Sequence, residues 1–578
     1  MAFRSSFVAP AYALALTLAV TAPLLQPGYL LLRDAVSTPR SYLTDAALGL
    51  SQAAPRALPQ DFFVALASSV LDGGAVVTAL LVSGLWLAGW GAARLVTTVL
   101  PDAGVGGQCV AVTVAIWNPY VAERLLQGHW SLLVGYGCLP WVAATVLSLR
   151  DGEHRSAGRI GGLLFWLALA GLTPTGLMLA ATIALACALT QGTGRSRVWC
   201  AAVSLAASVT AALPWLAASA VAGGWAAEGV DQKAGVAAFA ARAEPGLGTL
   251  GSLAGLGGIW NAEAVPPTRT TTFAVVSTVV LLTVVAVGVP LLIRRRTVPP
   301  LLVVGALAVV MPALMATGPG LAAVETVIEA VPGLGVLRDG QKWVALAMPA
   351  YAVAGAATVL ALRPRIPAVA TTAVCCAALI ATLPDLAWGV GGRVEAVRYP
   401  PGWAAAAAVI NADPAPVVVL PVDSMRRFPW ARTAPVLDPL PRWVRADVLS
   451  TGDLTIAGTT VPGEGSRARD VQRLLVSGAG REELAAAGVG WVVIEGPPVV
   501  ELAAAAELPV AYRDDDLTVY AVGGNAPGAP QRAVMLAAHG VWLGQLVLGL
   551  IGMLWGRRRS RRAHRRDEHV DRPESGDQ

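Results

Sequence analysis

The sequence predicts an α-helical polytopic membrane protein of about twelve transmembrane helices with a small extracytoplasmic α/β domain. Apolar residues make up 55% of the 578 residues and charged residues only 14%, and the mean hydropathy is +0.61. Such a composition is typical of chains that cross a bilayer many times, because each crossing needs roughly 20 mostly apolar residues. A single long polar stretch, residues 391–533, is large enough to fold by itself.

Apolar runs and their flanking residues predict the twelve crossings. They lie near residues 7–32, 74–99, 107–123, 131–149, 160–172, 175–191, 199–222, 272–293, 298–317, 343–362, 367–388 and 534–555. The fifth and sixth runs would also suit one long span. Pro174 favours two spans, because proline removes a helical donor and biases the residue before it out of the helix.

Arginine placement predicts the orientation. With the N-terminus in the cytoplasm and the fifth and sixth runs split, short arginine clusters collect on the cytoplasmic side. The clusters are Arg150/Arg155/Arg159, Arg195/Arg197, Arg294 to Arg296, Arg363/Arg365 and the RRRSRRAHRR run at 557–566. A single span over both runs would move every later cluster outside. We therefore expect a plasma-membrane protein with both termini cytoplasmic.

This orientation predicts the domain organisation. A transmembrane domain spans residues 1–390, with outer loops at 33–73, 223–271 and 318–342. Residues 391–533 form the extracytoplasmic domain, where strands predicted at 417–421, 490–496 and 517–522 alternate with helices after Trp403 and near 467–487. A last transmembrane helix, 534–555, precedes a basic cytoplasmic tail, 556–578. We expect this tail to be disordered and to lie against anionic lipid.

The first candidate site is the Arg33-Asp34 step, where the first predicted span ends. Charge at that depth is costly, so the pair is either an anchor at the end of a span or part of a site. A carboxylate there suits proton abstraction from a hydroxyl group, or metal binding, if Arg33 or another base keeps it ionised. Asp45 and Asp61 are the other acids of the stretch RDAVSTPRSYLTDAALGLSQAAPRALPQDFF, residues 33–63.

The second candidate site is the hairpin NPYVAERLLQGHW at 118–130, whose Asn-Pro step predicts a helix break and whose Gly128 permits a tight return. A hairpin needs only a turn, yet four further polar residues lie here: Glu123, Arg124, Gln127 and His129. His129 suits a proton carrier or a ligand of sugar hydroxyls. The alternative is a packed ring beside Trp130 at the membrane interface.

The third candidate site is GLGVLRDGQKWV at 333–344. On a helix, Arg338 and Lys342 would share one face, and paired cations at a helix entrance suit a phosphate or diphosphate group. Lys342 is one of only two lysines among 42 basic residues. The alternative is an interfacial anchor whose long side chain reaches the headgroups.

Other motifs exclude several functions. The chain has no Walker, HExxH or GxSxG motif, so ATP-driven work and serine hydrolysis have no support. All six cysteines lie in apolar segments without a CxxC pair, which argues against disulfides and zinc. Most of the net charge of +5 comes from the tail, so nucleic acid is not a predicted partner. No cofactor is predicted, and the need for a divalent metal stays open. Segment 422–430, VDSMRRFPW, suits either a glycan surface or an ordinary loop.

Together these motifs resemble the GT-C superfamily of membrane glycosyltransferases, especially actinobacterial arabinofuranosyl- and mannosyltransferases. The early outer acid, the polar NP…RLLQGHW hairpin and the late RDGQK segment carry the resemblance, which covers roughly residues 1–390. It implies transfer of a sugar from a polyprenyl-phosphate donor to a cell-envelope glycan or lipid acceptor on the outer face. Many members pair two acids in the first loop, whereas Asp34 stands between Arg33 and alanine.

The resemblance also implies roles for the candidate residues. Asp34 would be the catalytic base, and Arg338 and Lys342 would hold the lipid phosphate. The remaining predicted substrate-binding residues are Arg33, Glu123, Arg124 and His129. Asp45 or Asp61 would have to supply any second carboxylate.

Two rival functions are a lipid or glycan transporter or flippase and a non-catalytic envelope-assembly protein. A transporter predicts paired half-repeats and charges at mid-membrane depth, but the sequence shows no convincing repeat and places most charges at span ends. A degenerate relative whose soluble domain binds glycan would fit the weak acid pattern of the first loop.

Overall fold

The computed structural model is mainly helical. It describes residues 7–51, 57–152, 156–221, 232–330, 334–421, 423–456, 459–463, 465–496 and 508–570. The α-helices that precede the predicted extracytoplasmic domain are Val8–Thr21, Gln60–Ala67, Gly73–Val99, Gly104–Ile116, Pro119–Leu126, Trp130–Arg150, Ser156–Ala170, Pro174–Ala188, Arg197–Val221, Gln232–Ala238, Gly248–Ala254, Phe273–Ile293, Pro299–Met315, Gly318–Ala330, Met348–Leu362 and Ala368–Ala381. Helices Pro401–Ala412, Leu440–Trp443, Ser466–Val476, Arg481–Ala486 and Arg532–Val570 follow.

Several of these helices are long and apolar enough to cross a bilayer. Seven such helices occur among the described residues: Val8–Leu25, Gly73–Val99, Trp130–Arg150, Arg197–Val221, Phe273–Ile293, Gly340–Leu362 and Arg532–Gly556. The number rises to nine if two bent pairs each count as one span, Pro299–Met315 with Gly318–Ala330 and Ala368–Ala381 with Pro384–Gly392. The chain is therefore a multi-pass membrane protein, while the predicted total of twelve spans is not confirmed.

The first predicted span, 7–32, is too long. Its helix ends at Thr21 and a 3₁₀ turn follows over Ala22–Leu25, after which Tyr29–Leu32 is a β-strand. Two prolines, Pro23 and Pro27, explain the early end because neither can donate to a continuing helix. Arg33 and Asp34 therefore follow a strand and do not stand at the end of a transmembrane helix.

Two breaks predicted from proline are confirmed. Asn118 caps the short helix Pro119–Leu126, its side chain accepting a hydrogen bond from the Val121 amide at 3.1 Å, so the predicted span 107–123 ends as a helix at Ile116. Thr173 likewise caps Pro174–Ala188. Residues 171–173 thus interrupt the apolar run that the sequence divides into two spans.

The predicted α/β domain contains the expected strands. The described part of the chain contains twelve strands: β1 Tyr29–Leu32, β2 Ala35–Val36, β3 Ala396–Val397, β4 Val417–Leu420, β5 Met425–Arg426, β6 Val436–Leu437, β7 Val448–Leu449, β8 Leu454–Ile456, β9 Thr459–Val461, β10 Trp491–Glu495, β11 Val510–Arg513 and β12 Leu517–Ala521. Five of them form a sheet in the order β11-β12-β10-β4-β7. Strands β7, β4 and β10 are parallel to one another. Strand β12 pairs antiparallel with β10, and β11 pairs antiparallel with β12.

A second sheet joins the start of the chain to the region after residue 390. Its order is β2-β1-β3, with Leu31 opposite Val36 and Tyr29 opposite Val397. The chain continues from β1 through Arg33, whose amide donates to the Pro435 carbonyl at 2.8 Å. This sheet fixes residues 33 and 34, with which the predicted outer loop 33–73 begins, against the segment around β6.

The basic tail differs from its prediction. The last helix, Arg532–Val570, continues well past the apolar segment and through the arginine-rich run. Arginine and alanine are good helix formers, and an existing helix extends more easily than a new one begins. The tail is therefore helical up to Val570 rather than disordered.

Candidate functional site

Asp34 lies in a polar cluster formed with the 118–130 hairpin. Its Oδ2 atom accepts hydrogen bonds from His129 Nε2 at 2.9 Å and from Gln127 Nε2 at 3.1 Å. Its amide also donates to the Gln127 carbonyl at 3.2 Å. The other oxygen, Oδ1, forms no hydrogen bond with the described residues, and the side chain is 38% exposed. One carboxylate oxygen is thus held in place while the other is available.

Gly128 allows the hairpin to approach β1 closely. Its φ is +82°, a conformation that glycine adopts without strain. A Cβ atom at this position would lie 2.3 Å from the Leu32 carbonyl oxygen and 2.4 Å from the Ala35 amide nitrogen. The close contact between hairpin and strand brings Gln127 and His129 to Asp34.

The hydrogen bonds of His129 define its tautomer. Arg124 Nη1 lies 3.1 Å from His129 Nδ1, and a guanidinium can only donate. Nδ1 therefore accepts, so the ring proton is on Nε2 and is donated to Asp34. A neutral His129 satisfies both contacts, since a protonated ring would direct an N–H group at Arg124.

Arg124 connects the hairpin to the RDGQK segment. Its Nη1 and Nη2 atoms donate to Asp339 Oδ2 at 3.0 Å and Oδ1 at 3.1 Å, and Nη2 also donates to Gln341 Oε1. The Arg124 side chain is fully buried and that of Asp339 is 7% exposed. A bidentate pair of this kind satisfies two charges that would be costly to bury alone.

Lys342 belongs to the same cluster. Its Nζ atom lies 3.6 Å from Asp339 Oδ2, and its side chain is 25% exposed. The Tyr120 hydroxyl holds the adjoining backbone by donating to the Lys342 carbonyl at 3.1 Å. Asp34, His129 and Lys342 are therefore the partly exposed members of one network, and Arg124 and Asp339 are its buried link.

Glu123 supports this network from the interior. Its carboxylate is completely buried and accepts hydrogen bonds from the Gly258 and Ile259 amides at 3.1 and 3.2 Å. Gln341 Nε2 donates to the same group at 2.9 Å. Glu123 thus joins the predicted outer loop 223–271 to the hairpin and has no exposed surface for a substrate.

Electrostatics keep Asp34 ionised and His129 neutral. Burial raises the pKa of Asp34, but the His129 and Gln127 hydrogen bonds and the nearby Lys342 charge outweigh it, so this pKa lies below its usual value. Burial lowers the pKa of His129, and the charges of Lys342 and Arg124 lower it further against the opposing effect of Asp34. The pKa of Asp339 is also low, because Arg124 and Lys342 outweigh its burial.

Two predicted contacts are not formed. Arg33 does not hold Asp34, because its guanidinium donates to the Leu126 carbonyl at 2.6 Å and lies 3.4 Å from a Glu263 carboxylate oxygen. Arg338 and Lys342 do not share a helix face, since the α-helix assumed there is two separate 3₁₀ segments, Leu334–Leu337 and Gly340–Ala347. The Arg338 guanidinium instead lies 5.9 Å from the Phe239 ring centroid.

The other first-loop acids lie elsewhere. Asp45 forms an ion pair with Arg532, and Asp61 lies 3.3 Å from Arg442. The acid that Arg124 links to the Asp34 cluster is Asp339, which the sequence indicates only as part of the RDGQK segment. Among the described residues there is no group of three or more His, Cys, Asp or Glu side chains that could hold a metal ion.

Comparisons with known proteins agree on the fold alone. No protein-family model and no curated protein sequence matches the chain. The cryo-EM structure of the arabinofuranosyltransferase AftD from Mycobacteria matches over 91% of this chain, with a TM-score of 0.55 and 16% sequence identity. The chain has an AftD-like fold. The expected resemblance to an arabinofuranosyltransferase is thus confirmed at the level of the fold.

The match covers only part of AftD. The chain spans 40% of the length of that structure, and 42% of a second AftD structure that carries a substitution and is 17% identical over 90% of this chain. AftD is thus much the longer protein, and its activity is not transferred to this chain by the match.

Proposed function

We propose that the chain is an integral membrane glycosyltransferase. It moves a sugar from a polyprenyl-phosphate donor to a cell-envelope glycan or lipid acceptor on the outer face of the plasma membrane, with both termini cytoplasmic. The AftD-like fold and the actinobacterial resemblance support this assignment. The observation that carries it is the Asp34 carboxylate, whose Oδ2 is fixed by His129 while Oδ1 is available.

Asp34 would act as the general base. Its Oδ1 atom takes the proton of the acceptor hydroxyl as that oxygen bonds to the anomeric carbon of the sugar. The bond between this carbon and the phosphate oxygen breaks, and polyprenyl phosphate leaves with the bonding electron pair. His129 and Gln127 would orient Asp34, and Arg124 would fix the His129 ring through Nδ1.

Lys342 would balance the negative charge on the leaving phosphate. It lies in the same network as Asp34 and is exposed enough to reach a ligand. A cation placed where charge develops stabilises the transition state more than the ground state. Arg338 lies in a separate environment against Phe239 and Gly335, so we assign the phosphate to Lys342 alone.

Replacing Lys342 tests this assignment. We expect Lys342→Gln to lower kcat/KM for the polyprenyl-phosphate donor about 10- to 100-fold, the usual cost of losing a hydrogen bond to a charged group. Lys342→Arg keeps the charge and should retain most of the activity. Initial rates with purified protein and labelled donor measure the effect. Equal activity in Lys342→Gln and wild-type protein would remove Lys342 from the mechanism.

The pH dependence follows from the two lowered pKa values. Asp34 stays ionised below its usual pKa of 3.8, and His129 stays neutral above its usual 6.5. Acid therefore acts first on His129, whose protonation removes the Nδ1 acceptor and places a cation beside Arg124. We expect kcat/KM to be constant from about pH 7 to about pH 8.5 and to fall only below about pH 6.5. The residual kcat/KM of His129→Gln should no longer fall at acid pH. If it falls as in the wild type, a group other than His129 is responsible for the decrease.

Sugar transfer itself is tested with the purified wild-type chain in lipid nanodiscs. Labelled polyprenyl-phosphate sugars of several kinds are supplied with a cell-envelope extract as acceptor, and incorporation is measured. Transfer from at least one donor supports the proposal. Binding or movement of the donor across the bilayer without transfer would favour a transporter, for which the two sharply bent helix pairs are the supporting observation.

A further inference from the structure

A cavity with charged side chains in its lining lies beside the Asp34 cluster. Its volume is about 600 Å³, and it is bounded by β1, the segment 392–397 and the segment 427–434. Six charged side chains line it: Arg33, Arg393, Arg427, Arg432, Glu263 and Glu395. The lining includes neither Asp34, His129 nor Lys342. This cavity is therefore a different site from the proposed catalytic cluster.

Positive charge exceeds negative charge in the lining, with four arginines against two glutamates. Glu395 forms an ion pair with Arg432, and Glu263 lies 3.4 Å from Arg33. The other two arginines, Arg393 and Arg427, form no ion pair with any carboxylate of the described residues. Neither guanidinium is thus paired directly with a carboxylate of the described residues, and Asp385 and Glu263 act on Arg393 only from a greater distance.

Backbone carbonyls hold these two arginines in place. Arg393 Nη1 donates to the Val265 carbonyl at 2.9 Å, and Arg427 Nη1 donates to the Thr433 carbonyl at 2.7 Å. A carbonyl orients a guanidinium without neutralising it, so each keeps its full charge and further donors. The guanidinium groups are therefore positioned in advance for an anion.

Arg33 adds an independent observation. Its side chain is almost fully buried, yet its Nε atom has no hydrogen-bond partner among the residues that the structure describes. A buried donor without a partner costs free energy, and an anion that reaches it would remove this cost. The Arg33 guanidinium is thus not fully satisfied by the chain itself.

We infer that this cavity, called here the arginine cavity, binds an anionic glycan, meaning a sugar chain that carries a carboxylate or a phosphate. Guanidinium forks match the two oxygens of either group. The volume lies within the range of small-molecule sites. No aromatic ring occurs in the lining, so the stacking surface on which neutral sugars commonly bind is missing.

The cavity lies next to Asp34, the proposed base for the acceptor hydroxyl. Arg33 lines the cavity and the next residue, Asp34, belongs to the catalytic cluster. Two hydrogen bonds tie this dipeptide to the hairpin, from Arg33 Nη1 to the Leu126 carbonyl and from the Asp34 amide to the Gln127 carbonyl. A glycan held by the arginines would therefore lie next to the proposed base. The inference concerns binding and does not depend on the proposed reaction.

Equilibrium binding to the full-length protein in nanodiscs tests this inference. The probes are a disaccharide containing glucuronic acid, its uncharged methyl ester, and glucose 6-phosphate. We expect the two anionic probes to bind and the methyl ester to bind at least about tenfold more weakly. Binding of only one anionic probe would identify the anionic group as carboxylate or phosphate.

Paired variants locate the binding. Arg393→Gln/Arg427→Gln should weaken binding of the anionic probes about tenfold or more, since charged hydrogen bonds are lost. The matched control is Arg513→Gln, an exposed arginine outside the lining, which should bind as the wild type does. Thermal melting of all variants checks their folding.

Three results would overturn the inference. They are equal binding of the glucuronic acid probe and its methyl ester, no binding of either anionic probe at millimolar concentration, and equal binding by the double variant and its control. Binding of phosphatidylglycerol in the arginine cavity, from nanodiscs rich in this lipid and with no competition from the glycan probes, would also overturn the inference. The arginines would then be assigned to a lipid headgroup.

Discussion

Asp34→Asn is expected to lower sugar transfer by about 100-fold or more, the usual contribution of a general base. Asparagine keeps the shape of the side chain, and its amide oxygen can still accept hydrogen bonds from His129 and Gln127. It cannot take a proton from the acceptor hydroxyl. The loss should therefore fall on kcat, while KM for the donor changes little.

A matched control separates catalysis from folding. Asp102 is an exposed acid that lies 3.4 Å from Arg295, before the start of helix Gly104–Ile116, whereas the hairpin of the candidate cluster follows the end of that helix. Asp102→Asn removes the same charge and should leave transfer and thermal stability nearly unchanged, because exposed ion pairs contribute little. If Asp34→Asn melts like the wild type and transfers sugar at the wild-type rate, Asp34 is not the base.

The second large effect is expected on stability. Arg124→Met leaves Asp339 buried without its bidentate partner and leaves Gln341 without a donor. Breaking a buried ion pair by removing one partner costs about 3–5 kcal/mol. We therefore expect a clearly lower melting temperature for the protein in detergent, followed by tryptophan fluorescence.

Two further variants show whether burial is the cause. Arg295→Met removes an arginine from an exposed pair and should cost no more than about 1 kcal/mol. The double variant Arg124→Met/Asp339→Leu removes both buried charges and should recover part of the lost stability. Equal melting temperatures for the single variants Arg124→Met and Arg295→Met would contradict the buried network.

Local features of the fold were predictable from the sequence because their causes are local. The break at Asn118 follows from the next residue, Pro119, together with a side chain that caps a helix. The close turn at Gly128 follows from a residue that tolerates positive φ. The strands near 417–421 and 517–522 follow from β-branched residues between polar turns. In each case a few neighbouring residues decide the outcome.

The first span shows where an apolar pattern is ambiguous. Residues 29–32, YLLL, are as apolar as the helix before them, so hydropathy extended the span to Leu32. Pairing with Val36 and Val397 makes this segment a strand, and Val397 lies more than 360 positions away. Apolar runs of this length suit a strand and a helix equally well, and tertiary contacts decide between them.

The sequence singled out Asp34, His129 and Lys342 as candidates, but it did not indicate the contacts that connect them. Arg124 lies in an apolar part of the sequence, and a buried arginine needs an acidic partner. Nothing in the neighbouring sequence identifies that partner as Asp339, which is 215 residues away. The prediction that Arg338 and Lys342 share one face was wrong, because residues four apart are neighbours only on an α-helix. The backbone there is 3₁₀, and it directs only Lys342 to the cluster.

In the proposed mechanism, Asp34 and Lys342 form one site for a polyprenyl-phosphate donor. A cryo-EM structure of the chain with a non-hydrolysable polyprenyl-phosphate sugar tests it most directly. We predict the phosphate in contact with Lys342 Nζ and the anomeric carbon facing Asp34 Oδ1, with the hydrogen bond between His129 and Asp34 preserved. A donor phosphate bound away from Lys342, with Asp34 turned from the sugar, would contradict the claim.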